Sequence, residues 1–195
     1  MEILEKLFDS KTRARILKFF LNNPEGIFQT KEIANKVKVK SPSLQKELKK
    51  LKKIGFLKTT LRNKKRYYGL CQNFIFYPEL KKIILKINPP SGTKILNQIK
   101  KLGKIKFALL SGLFVNFDKS PVDLFIVGEN IRRAKLKNFL ENLEAEIGKE
   151  INYVLMTNQE FLYRQNMCDK FIADLLEKPN KILINKIKTE KKSKK

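Results

Sequence analysis

In LLSGLFVNFDKSPVDLFIVG, residues 109–128, a turn of small residues follows one apolar run, and a lone aspartate, Asp123, opens the next. A turn of small residues followed by a strand-end carboxylate has the outline of a catalytic site. Two other acids could join it: Asp118, in the turn, and Glu150, two residues before Asn152 on the same face of a third strand-like run. The chain has no histidine, which removes every His general base and every Ser–His or Cys–His arrangement. Cys71 and Cys168 stand far apart with no CxxC pattern and cannot supply the four ligands of a structural zinc. They read as buried, inert thiols of a reducing compartment.

The elements that would position such a site belong to a strongly basic chain. Its 195 residues carry a formal net charge of +24, which points to a polyanionic partner. The charge is not uniform. Residues 1–90 hold 22 Lys/Arg against 7 Asp/Glu, whereas residues 91–180 hold 14 against 11. A uniform lysine bias would not load the first half so heavily, so the basic asymmetry assigns the polyanion to the first half. The longest apolar stretch, 105–117, is broken by Lys106, Ser111 and Asn116, so neither a signal peptide nor a membrane span is expected, and the expected location is cytoplasmic.

NPPSG at 88–92 is the best internal boundary, and the tail KIKTEKKSKK at 186–195 is expected to be a basic, flexible extension. Before the boundary the periodicity is mostly helical. Ser10 is placed to cap a helix carrying Ala14, Leu17 and Leu21, and Thr30 to cap a short one with Ile33, Ala34 and Val37 inward. VKVK at 37–40 is a turn. In SPSLQKELKKLKKIGFL, Ser41 takes the N-cap, Pro42 the first helical position, Leu44, Leu48 and Leu51 the buried stripe, and Gly55 the end. Strand-like runs 56–61 and 66–70 are joined by RNKK, and the helix PELKKIILKI follows with Leu80, Ile83, Ile84 and Ile87 on one stripe. That stripe fits subunit pairing or packing within the chain.

After the boundary a helix is expected at 92–102, then strands IKFALL and VDLFIV. Asn130 would cap a helix whose core face is Leu136, Phe139, Leu140, Leu143 and Ile147, stopped by Gly148. INYVLM reads as a strand and 158–177 as one last helix. Strands separated by helices imply an α/β sheet domain.

On TKEIANKVKVKSPSLQKELKKLKKIGFLKTT, KKRYYGL and FYPELKKI, residues 3–87 resemble winged helix-turn-helix transcriptional regulators. In that fold the second helix of the motif enters the major groove of double-stranded DNA. The resemblance implies DNA contacts from Ser41, Ser43, Gln45, Lys46, Lys49 and Lys50, and from Arg62, Lys64 and Lys65 at the wing tip. Ser43 and Gln45 would read base edges while the lysines hold phosphates.

Residues 93–185 resemble the nucleotidyltransferase superfamily related to DNA polymerase beta, in its minimal form. Members place a Gly-Ser turn after the first strand, Asp-x-Asp on the second strand and a further Asp on the third, so that the turn holds a triphosphate and the carboxylates two magnesium ions. Here Gly112 keeps the glycine, but Leu113 replaces the serine and Pro121 the first aspartate. Asp123 alone survives of the pair, and Asn152 stands in place of the third acid. Gly112, Asp123 and Asn152 thus form a vestigial site, with no catalytic residue, no metal and no cofactor expected. A lone strand-end carboxylate is more often a capping or ion-paired group than a metal ligand.

The expected fold class is therefore α+β in two domains: a winged helix-turn-helix at 1–87, a linker at 88–92 and a degenerate nucleotidyltransferase-like domain with a small mixed sheet at 93–185. The expected function is a DNA-binding transcriptional regulator, not an enzyme, whose second domain serves dimerisation or regulation. A homodimer and an unidentified small-molecule or protein effector are compatible with it. A nucleotidyltransferase with residual activity and a non-specific nucleic-acid-binding protein are the competing readings.

Overall fold

Helix α1 (Glu2–Leu7) leads into α2 (Lys11–Asn22), where the Ser10 hydroxyl accepts from the Arg13 N–H at 3.1 Å and caps the helix as expected. The computed structural model describes residues 2–86 and 90–187. A short strand β1 (Ile27–Gln29) precedes α3 (Thr30–Val37), α4 (Ser41–Lys53), β2 (Leu57–Arg62), β3 (Lys65–Leu70) and α5 (Tyr77–Lys86). The rest of the chain forms α6 (Gly92–Ile99), β4 (Lys104–Leu110), a single 3₁₀ turn (Gly112–Phe114), β5 (Leu124–Glu129), α7 (Arg133–Ile147), β6 (Tyr153–Met156), α8 (Asn158–Asn166), α9 (Lys170–Glu177) and β7 (Lys181–Asn185). The class is α+β. Two compact units result: Met1–Pro90 with Asn138–Glu150, and Ser91–Lys137 with Ile151–Lys195.

In the first unit β3 lies between β1 and β2, and both pairings are antiparallel. Leu44, Leu48, Leu51, Ile33 and Val37 from α3 and α4 are buried with Ile16, Leu17 and Phe20 of α2, and Phe56, Leu57 and Leu70 close the core from the sheet. Residues 138–150 join this unit through α2. Lys18 Nζ donates to the Glu146 carbonyl (3.2 Å), Asn22 Nδ2 to that of Ile147 (2.9 Å) and Asn23 Nδ2 to that of Gly148 (2.9 Å). These carbonyls lie at the end of α7, where no intrahelical donor remains for them. Gly148 has φ +83, and a Cβ there would lie 3.0 Å from the Lys18 carbonyl oxygen, so glycine stops the helix and admits the close approach. Burial lowers the Lys18 pKa.

In the second unit the sheet order is β6-β5-β4-β7, with β5 and β6 parallel and the other pairs antiparallel, a small mixed sheet. Phe107, Phe125 and Phe161 pack together beneath it, the rings of Phe107 and Phe161 stacked at 5.6 Å.

Several local expectations change. The N-cap of α3 is Gln29, in a capping box with Glu32, and Thr30 is already helical, because Gln29 alone has the extended backbone a cap requires. For the same reason Lys40 is the N-cap of α4, and Ser41 is its first residue. The helix at 92–102 ends at Ile99, and its N-cap is Ser91. Asn130 has φ +54 and lies before α7 instead of capping it. The last helix is two, because Cys168 turns at φ +54 and Asp169 caps α9 by accepting from the Ile172 N–H. Strand β7 went unforeseen. Ile83 is exposed, although Ile84 is buried as the stripe implied. The two thiols are not buried as expected: Cys71 is half-buried and Cys168, in the turn between α8 and α9, is exposed. Ile87, residues 88–89 of the expected linker and 188–195 of the expected tail lie outside the described residues.

Candidate nucleic-acid interface

The face of α4 is set by what the helix buries. Leu44, Glu47, Leu48 and Leu51 point inward, so 3.6-residue periodicity turns Lys46, Lys49 and Lys53 to the opposite side, in one exposed stripe. Gln45 and Lys52 flank the stripe on one side, Ser43 and Lys50 on the other, and all are exposed. The two flanks differ in chemistry. The Ser43 hydroxyl lies 3.1 Å from that of Thr12 on α2, and Lys50 Nζ lies 3.4 Å from Glu47. Gln45, Lys46, Lys49, Lys52 and Lys53 have no hydrogen-bond or ion-pair partner among the described residues. Ser43 and Gln45 thus stand on opposite flanks of the stripe, Ser43 beside Thr12 and Gln45 without a partner among the described residues. Gln45 is the uncommitted side chain.

Glu47 fixes that orientation. It is 6% exposed and receives Arg13 Nε at 2.7 Å from α2. Burial works to raise its pKa, but the hydrogen bond and charge of Arg13, with help from Lys50, outweigh this and leave the carboxyl below its usual range. Arg13 is raised in turn by the bond to Glu47. At the near end of the turn between α3 and α4, Arg15 Nη1 donates to the carbonyls of Val37 and Lys38, and Lys38 adopts the left-handed C-cap conformation.

The hairpin β2–β3 carries the second cationic cluster. A two-residue turn, Asn63 (φ +48) and Lys64 (φ +60), joins strands one residue longer at the tip than the sequence suggested. Arg62 and Lys65 are directly opposite each other in the register, and both are exposed with Lys64 and Arg66. Like charges placed opposite in a ladder are destabilising. Nothing described in the chain neutralises them.

The turn that opened the sequence analysis is built otherwise. Asp123 is 7% exposed, and both of its carboxylate oxygens are taken: Oδ1 by the Leu113 N–H (2.8 Å), Oδ2 by the Asn152 N–H (2.9 Å). The Ser111 hydroxyl donates to the Val122 carbonyl, and the Asp123 N–H to that of Asn152 at 2.7 Å. Gly112 has φ +53, and a Cβ there would sit 2.1 Å from Asp123 Oδ1. So Gly112, Asp123 and Asn152 do come together, as a carboxylate seated in its own turn. Asn152 takes part through its backbone. Glu150 pairs with Lys36, whose hydrogen bond lowers its pKa, and Asp118 is exposed. Among the described residues no group of three or more His, Cys, Asp or Glu could hold a metal ion, and no helix is long and apolar enough to cross a membrane.

Compared with protein families, curated proteins and solved structures, the chain matches none.

Three features of this candidate surface were not foreseen from the sequence. Lys53 extends the stripe of Lys46 and Lys49, and its position seven residues from Lys46 was the available signal. Arg66 adds to the cations at the hairpin tip. Glu47 was passed over because a charged residue in a lysine-rich run looks solvated; only its place between Leu44 and Leu51 on the buried side marked it.

Proposed function

We propose that the chain is a DNA-binding transcriptional regulator of the winged helix-turn-helix kind, with α4 as the recognition helix and β2–β3 as the wing. The observation that carries this is the uncompensated charge. Lys46, Lys49 and Lys53 on α4, and Lys64 and the opposed Arg62 and Lys65 at the hairpin tip, are exposed cations with no partner among the described residues. Two such clusters in one unit, one on a helix and one on a hairpin, fit a polyanionic duplex better than solvent. Gln45, beside the stripe, supplies the amide that pairs with a base edge. Two copies would match a symmetric site.

The second unit, on this reading, is a nucleotidyltransferase-like domain that performs no transfer. What supports this is Asp123: its oxygens are spent on the Leu113 and Asn152 N–H groups, one of which belongs to the very turn that would hold a phosphate. Its role is then dimerisation or regulation, in a cytoplasmic protein.

The test is selection of bound duplexes from a random pool, followed by salt titration of the winners. A recurring motif is expected, and Gln45→Ala should cost about 1–3 kcal/mol at one position of it. Binding with no enriched motif that collapses with salt would leave only non-specific attraction.

A further inference from the structure

We infer that a groove on the first unit, bounded by α2, α5 and the C-terminal end of α4, docks an amphipathic helical segment of another protein, apolar on one face and flanked by carboxylates. Its occupation would also withdraw Lys50 and Lys53 from nucleic acid; that second clause rests on the proposed function.

The groove encloses about 420 Å³. Leu17, Leu51, Phe56, Phe74 and Leu80 make an apolar floor, while Arg13, Lys50 and Lys53 also line it, with no carboxylate among the described lining residues. Glu47, buried beside it, answers Arg13 and in part Lys50, so Lys53 alone of the three has no acidic partner among the described residues.

The apolar surface does not stop at the cavity. Aromatic rings step outward from buried Phe56 to Phe74 (5.6 Å) and on to Phe76 (5.9 Å), which is 58% exposed. Ile54, also lining the groove, is 61% exposed, and Ile83 lies exposed one turn beyond Leu80. An apolar trough that continues onto an open ridge receives side chains spaced along a helix, at i, i+3, i+4 and i+7. A small molecule would leave the ridge bare.

Charge selects among polypeptide occupants. A second copy seated in this groove by the same face would set its own cationic rim against the first, whereas glutamates or aspartates flanking an apolar stripe would meet Lys50 and Lys53.

The experiment uses the full chain and a fluorescein-labelled synthetic helical peptide with leucines at that spacing and glutamates on both flanks, read by anisotropy. Saturable binding is expected, weakened at least ~10-fold by Ile54→Glu or by changing the leucines to serine. Phe76→Glu, also at the surface, should act alike, with denaturation curves confirming that each variant folds. Excess peptide should displace a bound duplex. Equal binding of the serine peptide, or indifference to both variants, would reduce the effect to bulk charge and overturn the inference. So would sedimentation showing a dimer that Ile54→Glu dissociates, since the occupant would then be a second copy. If duplexes bind and the peptide does not, the groove alone falls; if the peptide binds and no duplex does, the DNA reading and the competition fall while the docking site stands.

Discussion

The outer face of α4 and the Asp123 turn both place ionic side chains where chemistry could occur, and they dispose of them in opposite ways. Lys46, Lys49 and Lys53 are exposed and answer to nothing described in the chain. Asp123 is buried and answers to two backbone N–H groups. A charge held by backbone donors is already satisfied, and drawing it toward a metal would strand those donors at about 1–3 kcal/mol each. A solvated lysine loses little by exchanging water for phosphate, and counterion release favours the exchange. Availability separates the two regions: the first presents cations free to meet a partner, the second a carboxylate already seated in the fold.

The largest test of that contrast strikes the turn. Asp123→Ala leaves the Leu113 and Asn152 N–H groups without an acceptor and should destabilise the protein by about 2–5 kcal/mol in urea unfolding. Gly112→Ala should do comparable damage, since its Cβ would fall on Asp123 Oδ1 in a backbone conformation that disfavours side chains. Magnesium should leave the melting temperature of the parent protein unchanged. A magnesium-dependent rise that disappears in Asp123→Ala would make the site a metal site and end the comparison.

Next in size is Glu47, the one acid in the basic helix that behaves like Asp123. Glu47→Gln breaks its pair with Arg13, and because Arg13 is partly exposed, solvent limits the loss to about 1–2 kcal/mol. The carboxyl is depressed in the folded state, so its contribution is complete above the ordinary glutamate range and vanishes as pH falls through the lowered value. Parent and variant should accordingly differ in stability at neutral pH and converge in acid. A difference that persists below that range would mean packing, and not charge, is what Glu47 supplies.

What the sequence made legible follows the same division. Burial of Leu44, Leu48 and Leu51 was readable because apolar residues at helical spacing report their own environment. The exposed lysines followed as the complement. The seat of Asp123 was not readable in detail, because its partners are N–H groups that every residue carries, brought from positions 113 and 152 by the fold. The capping reading was right in kind, yet nothing in the letters could name those donors. The caps at Thr30 and Ser41 were misplaced by one residue because residue type favoured hydroxyls, while backbone conformation gave the position to Gln29 and Lys40. Strand β7 escaped because KILIN is short and follows a helix, and its pairing with β4 is a long-range contact.

A smaller effect sharpens the binding side of the contrast. Lys49→Ala should weaken every duplex by a similar factor and flatten the dependence on log salt by about one unit, with stability unchanged. Lys53→Ala should match it if the stripe works as one surface. A Lys53 variant indistinguishable from the parent on DNA would confine the interface to the first turns of α4.

The smallest expected change lies at the hairpin tip, where folding and binding pull against each other. Lys64 holds φ +60, a conformation that favours glycine by roughly 1 kcal/mol, beside Arg62 and Lys65 facing each other across the ladder. Lys64→Gly relieves the backbone and removes one of three crowded cations, against a greater entropy in the unfolded chain. The net should be a gain of about 0.5 kcal/mol in thermal or urea unfolding. If the tip exists to meet phosphates, the same substitution should lower affinity for all duplexes alike and reduce the salt slope. Gain in one measurement with loss in the other would place the strain of Lys64 in the service of binding. A gain in stability with unchanged affinity would take the hairpin tip out of the proposed interface and leave α4 to carry it alone.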